Sequence, residues 1–218
     1  MLVANIKIEQ IIQTARKEGV SVSFVPAERL FKLVKGNHQG VVATVSPISF
    51  IEIETLISKI DSSEKTPLFL ILDQITDARN FGAIIRTAVC TGVDAIIIPQ
   101  KGGAPVNEDT VKTSSGMLFK IPICKVAHIK DAIYYLQASG ITICAATEKT
   151  NTLVFDVNFN KPIALIMGSE GRGINPSVLK LVDEKAALPM HSHADSLNVS
   201  VACGAFLYEI IRQRSYQH

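Results

Sequence analysis

Leu68-Phe-Leu-Ile-Leu72 is an unbroken apolar run, and it opens into Asp73-Gln-Ile-Thr-Asp77-Ala-Arg79-Asn80-Phe-Gly82-Ala-Ile-Ile-Arg86-Thr87. In the second part the apolar residues space out to Phe81, Ile84, Ile85, Ala88 and Val89, one stripe of a helix. A short apolar run followed by helical spacing reads as a buried strand and then a helix. The same unit recurs. Apolar runs fall at 68–72, 94–98, 121–126, 141–146, 163–167 and 186–189, with helical patterns between most of them. The clearest helices are 80–91, closed by Gly92, and 128–139, closed by Gly140. Continuous apolar strands separated by helices predict an α/β fold, a mostly parallel sheet with helices on both faces. Such sheets bind ligands outside the carboxyl ends of their strands, which the segments after Leu72, Met167 and Pro189 occupy. Pattern alone therefore points to a nucleotide-binding protein.

Upstream the pattern is different. Residues 4–18 suit a helix stopped by Gly19, and Val20–Val25 alternates like a strand. Pro26 can open a second helix running to Val34. A glycine-bounded loop, Lys35-Gly-Asn-His-Gln-Gly40, leads to a further predicted strand at Val41–Val45. Ile51–Ile60 reads as a helix, and 61–67 is polar and rich in breakers. The expected organisation is a small α/β domain at 1–46, a bridging segment with its helix at 47–67, and the main domain at 68–218.

The other informative stretch runs from Leu188 to Arg214. Val199, Ala202, Cys203, Phe206, Leu207, Ile210 and Ile211 form the stripe of an amphipathic helix. Arg212 and Arg214 fall in its last turn, where positive charge suits the helix dipole. Ser196 or Asn198 can cap its start, which is also where anions bind.

Composition excludes more than it identifies. Of 218 residues 47% are hydrophobic, and the net charge is +2, so any nucleic-acid contact needs a local basic patch. No run of eighteen apolar residues suggests a membrane span, and no signal peptide is expected. Cys90, Cys124, Cys144 and Cys203 are far apart in apolar runs without a CxxC pair, so free thiols and a cytoplasmic location are expected. His191 and His193 have no visible third ligand, so no metal is expected.

Three stretches together strongly resemble the three motifs of the SpoU/TrmH family of RNA ribose 2′-O-methyltransferases. The first matches at Asn80, Gly82 and Arg86, the second at Met167-Gly-Ser-Glu-Gly171 and Gly173, the third at Ser196-Leu-Asn-Val-Ser200. They occur in the family's order over roughly Leu68 to Arg214. The resemblance implies an S-adenosylmethionine cofactor, a trefoil knot formed by the C-terminal segment, and a homodimer with its active site at or near the subunit interface. The C-terminal helix and the motif-one helix are the expected interface, and Gly204 in that helix suggests a close neighbour. The opening residues resemble the latter part of the family's substrate-binding domain, which makes 1–46 a partial domain. They look most like the branch that methylates a guanosine of large-subunit ribosomal RNA.

The resemblance also assigns residues. Arg86 is the leading catalytic candidate, although arginine is normally protonated and is an odd base. Its fork of donors suits a phosphate or a developing alkoxide. Asn80 contacts substrate or Arg86 on this reading, and is a helix N-cap on the plainer one. Glu170 orients Arg86 or Asn198, while Ser196 and Asn198 contact substrate or the cofactor edge. Gly168, Leu188 and Leu197 match the family's cofactor segment, with Thr147, Met167 and Met190 as expected neighbours. Gly168 would leave room for the ligand's approach. Lys35, His38, Arg29, Lys32 and Lys112 are the candidates for an RNA track, or else a solvated surface. The expected function is methyl transfer to a ribose 2′-hydroxyl of ribosomal RNA. A transfer-RNA substrate and a non-catalytic RNA-binding protein of the same fold are the alternatives. A dinucleotide oxidoreductase is rejected, because no GxGxxG follows the first strand.

Overall fold

The six apolar runs become one six-stranded sheet. A computed structural model describes residues 2–61, 65–191 and 196–215. Its strands are β1 (Leu68–Leu72), β2 (Ala95–Pro99), β3 (Ile123–Val126), β4 (Thr142–Ala146), β5 (Ile163–Met167) and β6 (Glu184–Ala186). Its helices are α1 (Leu2–Lys17), α2 (Ala27–Leu33), α3 (Ile53–Asp61), α4 (Ala78–Cys90), α5 (Glu108–Thr113), α6 (Ile129–Ala138), α7 (Pro176–Leu179) and α8 (Val199–Ser215). The strand order is β3-β2-β1-β5-β4-β6, and every pairing is parallel. The last strand begins earlier than expected, at 184 rather than 186. As an edge strand it tolerates charge, so Glu184 and Lys185 pair beside Cys144 and Ala145. Beyond it, Ala187 makes only an isolated bridge to Leu153.

Alternate residues of each strand feed two cores. Leu68, Leu70 and Leu72 face the layer that includes α4 and α8, while Phe69 and Ile71 face α3, α6 and α7. All five are at most 2% exposed. Full burial of side chains this size contributes roughly 1.5–3 kcal/mol each, which is why the sheet tolerates no polar residue in β1. Segment 47–67, read above as a bridge, contributes directly to this unit. Ile53, Leu56 and Ile57 of α3 are buried, and Ile51 N–H donates to the Ile123 carbonyl at 3.0 Å.

Helix α8 buries Val199, Cys203, Phe206, Leu207 and Ile210, as its stripe predicts. Within the chain, Gly204 faces Thr87 of α4. A Cβ there would lie 3.7 Å from the Thr87 methyl, an ordinary contact. The last turn does more than complement a dipole. The Arg214 guanidinium donates to the carbonyls of Phe159 (3.0 Å), Thr66 (2.9 Å), Pro67 (3.2 Å) and Lys161 (2.7 Å). It thereby ties α8 to the entrances of β1 and β5.

The chain divides into a unit Met1–Val45 and a unit Ser46–His218. In the first, α1 and α2 form, but the strands expected at 20–25 and 41–45 do not. Val20, Val22, Phe24 and Val45 are 60%, 38%, 76% and 80% exposed. Alternation makes a strand only where a neighbour supplies a ladder and a face to bury, and neither segment pairs among the described residues.

Candidate active site

The strand registry sets two motif loops side by side. Leu72 pairs with Met167, so the loops after β1 and β5 start together. The chain leaves β1 for α4 on one face and leaves β5 for α7 on the other. Such a reversal at the carboxyl edge is where sheets of this kind usually form their ligand crevice.

Asp77 caps α4, its Oδ1 accepting from Arg79 N–H at 2.8 Å and Asn80 N–H at 2.9 Å. The capping role considered for Asn80 is therefore taken by the residue three places earlier. The Asn80 side chain turns to other use, its Oδ1 accepting from Asn198 Nδ2 at 3.0 Å. Asn198 Nδ2 also donates to Glu170 Oε1 at 2.5 Å, and that oxygen accepts from Val199 N–H at 3.2 Å. Asn198 Oδ1 accepts from Ser200 N–H at 3.0 Å and Val201 N–H at 3.3 Å, which makes Asn198 the cap of α8. Ser196, the other capping candidate, is exposed beside it. Asn80, Glu170 and Asn198, from three separate motifs, thus share one network. A carboxylate at the start of α8 also complements the helix dipole.

Glu170 is presented by a tight turn. Ser169 and Gly173 exchange backbone bonds of 3.1 and 2.9 Å, and Gly171 and Gly173 have φ of 81° and 68°. Gly168 is closely packed by backbone. A Cβ on it would fall 2.2 Å from the Gly173 carbonyl carbon and the Ile174 nitrogen. The missing side chain makes room for the turn's own backbone. Gly82 is similar, since its Cβ would lie 2.0 Å from Thr113 Oγ1 of α5.

Arg86 stands apart from the network. It is exposed on α4, with no hydrogen bond or ion pair among the described residues. Six residues beyond Asn80, it lies about 9 Å along the helix and roughly 120° around it. The expected cofactor residues gather at neighbouring strand ends. Met167 and Gly168 end β5, Thr147 follows β4, and Leu188 and Met190 follow β6, three strands adjacent in the sheet. Thr147 N–H donates to the Ala186 carbonyl at 2.9 Å. Leu188 is partly buried on the core, whereas Met190 and Leu197 are 43% and 41% exposed.

The basic candidates are scattered. Arg29, Lys32 and Lys35 are exposed, and Lys112 makes an exposed ion pair with Glu108 at 3.9 Å. The His38 ring packs edge-on to Phe31 with centroids 4.5 Å apart, and its Nδ1 accepts from Gly40 N–H at 3.0 Å. Burial pushes the thiols of Cys124, Cys144 and Cys203 up to about 12, which makes them poor nucleophiles. His193 lies outside the described residues, and no cluster of three metal-ligating side chains occurs among those described. An open cavity of about 480 Å³, lined by residues such as Ile48, Phe119 and Pro122, sits at the amino end of β3, away from the network. The carboxyl-edge crevice carries the polar chemistry and is the better candidate. Sequence reading missed Asp73, whose carboxyl is raised above the usual range by burial, offset in part by bonds from Asn175 N–H and the Gln74 side chain. Its place directly after β1 was the available signal.

The model of the SpoU rRNA methylase family matches residues 67–208, all three motif loops included. The chain belongs to this family. A second model, RNA 2′-O ribose methyltransferase substrate binding, matches residues 3–50. A Bacillus subtilis protein assigned to the TrmH family of tRNA/rRNA methyltransferases is 33% identical over 207 residues, 95% of this chain and 83% of its own length. The 23S rRNA (guanosine-2′-O-)-methyltransferase of Blochmanniella floridana is 34% identical over 98% of this chain and 85% of its own. The SpoU methyltransferase AviRb of Streptomyces viridochromogenes, solved with the cofactor AdoMet, aligns with a TM-score of 0.66 at 30% identity. That alignment covers 72% of this chain and 61% of AviRb. This SpoU family member is an RNA methyltransferase that uses S-adenosylmethionine. The family also implies the C-terminal trefoil knot.

Proposed function

We propose that the chain transfers a methyl group to a ribose 2′-hydroxyl of RNA, and that its substrate is a guanosine of 23S-type ribosomal RNA. One observation carries the reading: side chains from three motifs, Asn80, Glu170 and Asn198, converge at the carboxyl edge of the sheet. The similarity to a 23S rRNA guanosine methyltransferase along nearly the whole chain favours that substrate. A transfer RNA is the second reading, favoured by the mixed tRNA/rRNA description of the Bacillus subtilis relative.

The crevice residues fit the cofactor. Apolar Leu188, Met190 and Leu197, the last two exposed, suit an adenine ring, and the strand ends at Met167, Gly168 and Thr147 supply backbone polar groups. Bound S-adenosylmethionine supplies an electrophilic sulfonium methyl. The chain's own task is to hold the ribose oxygen in line and to take up or stabilise the charge left when its proton departs. Asn198, fixed by Glu170 and Asn80, positions that edge of the site with Ser196. Arg86 binds phosphate or stabilises the alkoxide through its planar fork.

We also propose a homodimer through α4 and α8. Val201, Ala205 and Tyr208 form an exposed stripe on α8, 57% and 59% exposed at Val201 and Tyr208, alongside the Gly204 edge that faces Thr87. An interface there brings exposed Arg86 close to a second copy. Free thiols at all four cysteines favour a cytoplasmic setting. The deciding experiment is transfer of labelled methyl from S-adenosylmethionine to bulk ribosomal and transfer RNA, followed by mapping of the modified nucleotide. A 2′-O-methylguanosine in large-subunit RNA is expected, and label confined to transfer RNA or to a base would overturn the proposal. Light scattering at micromolar concentration should give twice the chain mass.

A further inference from the structure

We infer that Asp73 is a positioning residue for methyl transfer, whose buried carboxylate anchors the turn that presents Glu170 to Asn198. The inference rests on the site reading proposed above.

Asp73 directly follows β1 and is 6% exposed. It holds the motif-two loop at both ends. Its N–H donates to the Met167 carbonyl at 2.9 Å, just before the loop. Its Oδ2 accepts from Asn175 N–H at 2.7 Å, just after it. Between those anchors the loop has little freedom of its own, because Ser169 and Gly173 are bonded together and Gly168 packs against the Gly173–Ile174 backbone. The turn therefore moves as one piece, and the two Asp73 bonds are its footing. Where the turn sits decides whether Glu170 Oε1 reaches both Asn198 Nδ2 and Val199 N–H.

A second observation comes from the next residue. Gln74 has φ of 61°, a left-handed conformation that non-glycine residues rarely adopt. A carboxylate withdrawn from water and a left-handed non-glycine residue are both unfavourable, and they stand side by side. An apolar residue would seal the end of β1 without the first cost, but only an acceptor can hold Asn175 N–H. Both features sit where β1 and β5 diverge, at the mouth of the crevice. Asn175 also caps α7, its Oδ1 accepting from Ser177 N–H at 2.9 Å, so loss of Asp73 would leave a part-buried donor unpaired at the start of that helix.

The test uses the full chain with Asp73→Ala, Asp73→Asn, Glu170→Ala and the two double variants, each at a temperature where circular dichroism shows it folded. Single-turnover methylation at saturating RNA and cofactor should fall roughly tenfold or more in Asp73→Ala, since small misplacements cost that much in a positioned reaction. Asp73→Asn keeps an accepting oxygen and should stay within about threefold of the unaltered chain. Once Glu170→Ala is present, Asp73→Ala should add little, the non-additivity of residues acting through one another. Amide exchange gives a readout independent of activity: the Asn175 and Val199 segments should exchange faster in Asp73→Ala while β2 and β3 do not change. An Asp73→Ala rate within twofold of the unaltered chain, additive losses, or undisturbed exchange at Val199 would overturn the inference. If the unaltered chain methylated no RNA, the proposed function would fall, and the exchange measurement would still decide what Asp73 positions.

Discussion

Two phenylalanines, each in a segment expected to be a strand, have opposite fates. Phe24 lies in an alternating stretch of the first unit and is 76% exposed, whereas Phe69 lies in β1 of the second and is fully buried. The contrast extends to their units. No residue from Lys7 to Val45 is buried, while the second unit packs two cores on one sheet. The local patterns differ too, alternating at 20–25 and unbroken at 68–72, and only the second finds a neighbouring strand and a covering helix among the described residues. Val20 N–H donates to the Ala15 carbonyl and Val41 N–H to the His38 carbonyl, local turns in place of a ladder.

The largest effect should come from comparing cations across the two units. Arg86→Ala should reduce single-turnover methyl transfer by about 10²–10⁴ with an unchanged melting temperature, because the side chain is exposed and leaves no cavity. Arg86→Lys should fail almost as badly, since an ammonium lacks the fork. Lys35→Ala and Arg29→Ala should instead weaken RNA binding uniformly and flatten its salt dependence by about one unit of slope each. Rates within a few-fold of the original in Arg86→Ala would make Arg86 a binding residue at most.

Stability offers a matched pair. Phe69→Ala should cost about 3–5 kcal/mol in denaturant unfolding, whereas Phe24→Ala should change it by less than about 0.5 kcal/mol. Equal costs would mean that the first unit buries Phe24 in solution. A smaller loss is expected for Gly168→Ala, on the order of 1–3 kcal/mol, because its methyl group would meet backbone rather than a movable side chain. Cofactor affinity measured by calorimetry should fall with it, as the turn shifts. An unaltered melting curve would remove the packing explanation for this glycine.

The smallest effect is one of pH. Burial raises the Asp73 carboxyl above its ordinary 3.8. The folded state therefore holds this proton more tightly than the unfolded chain. Its contribution is fully present below the unfolded value and is lost as pH rises through the folded one. Relative to Asp73→Asn, the unaltered chain should lose stability as pH climbs from about 4 through the raised value. Parallel stability curves for the two proteins would contradict this.

Much of the second unit was legible because its strands are buried on both faces and so appear as unbroken apolar runs. β1 and β5 fall at the expected residues for that reason. The motif residues were legible as types, and Asn80, Glu170 and Asn198 do meet. Their division of labour was not. Asp77 outcompetes Asn80 for the cap because its carboxylate reaches two amides at once. The packing of Gly168 was not legible, because the backbone it accommodates lies across a turn, where spacing gives no sign of close approach. The strands expected at 20–25 and 41–45 show the same limit, since alternation records a preference for burial and not its fulfilment. Arg214 lay beyond pattern altogether, because its carbonyl partners are 53 to 148 residues earlier in the chain.

That last distance bears on how the protein is made. Synthesis runs from the N-terminus, so Thr66 and Pro67, at the entrance to β1, receive their arginine only after nearly 150 further residues have been joined. A nascent chain can bury the face of β1 that lies under α4 long before α8 exists to complete that layer. Contacts of such long sequence separation form late and slowly. The arginine can be seated only once α8 has been made, and it then joins the helix capped by Asn198 to the entrances of β1 and β5. Until then the apolar floor that α8 will cover remains open to water, and to chaperones.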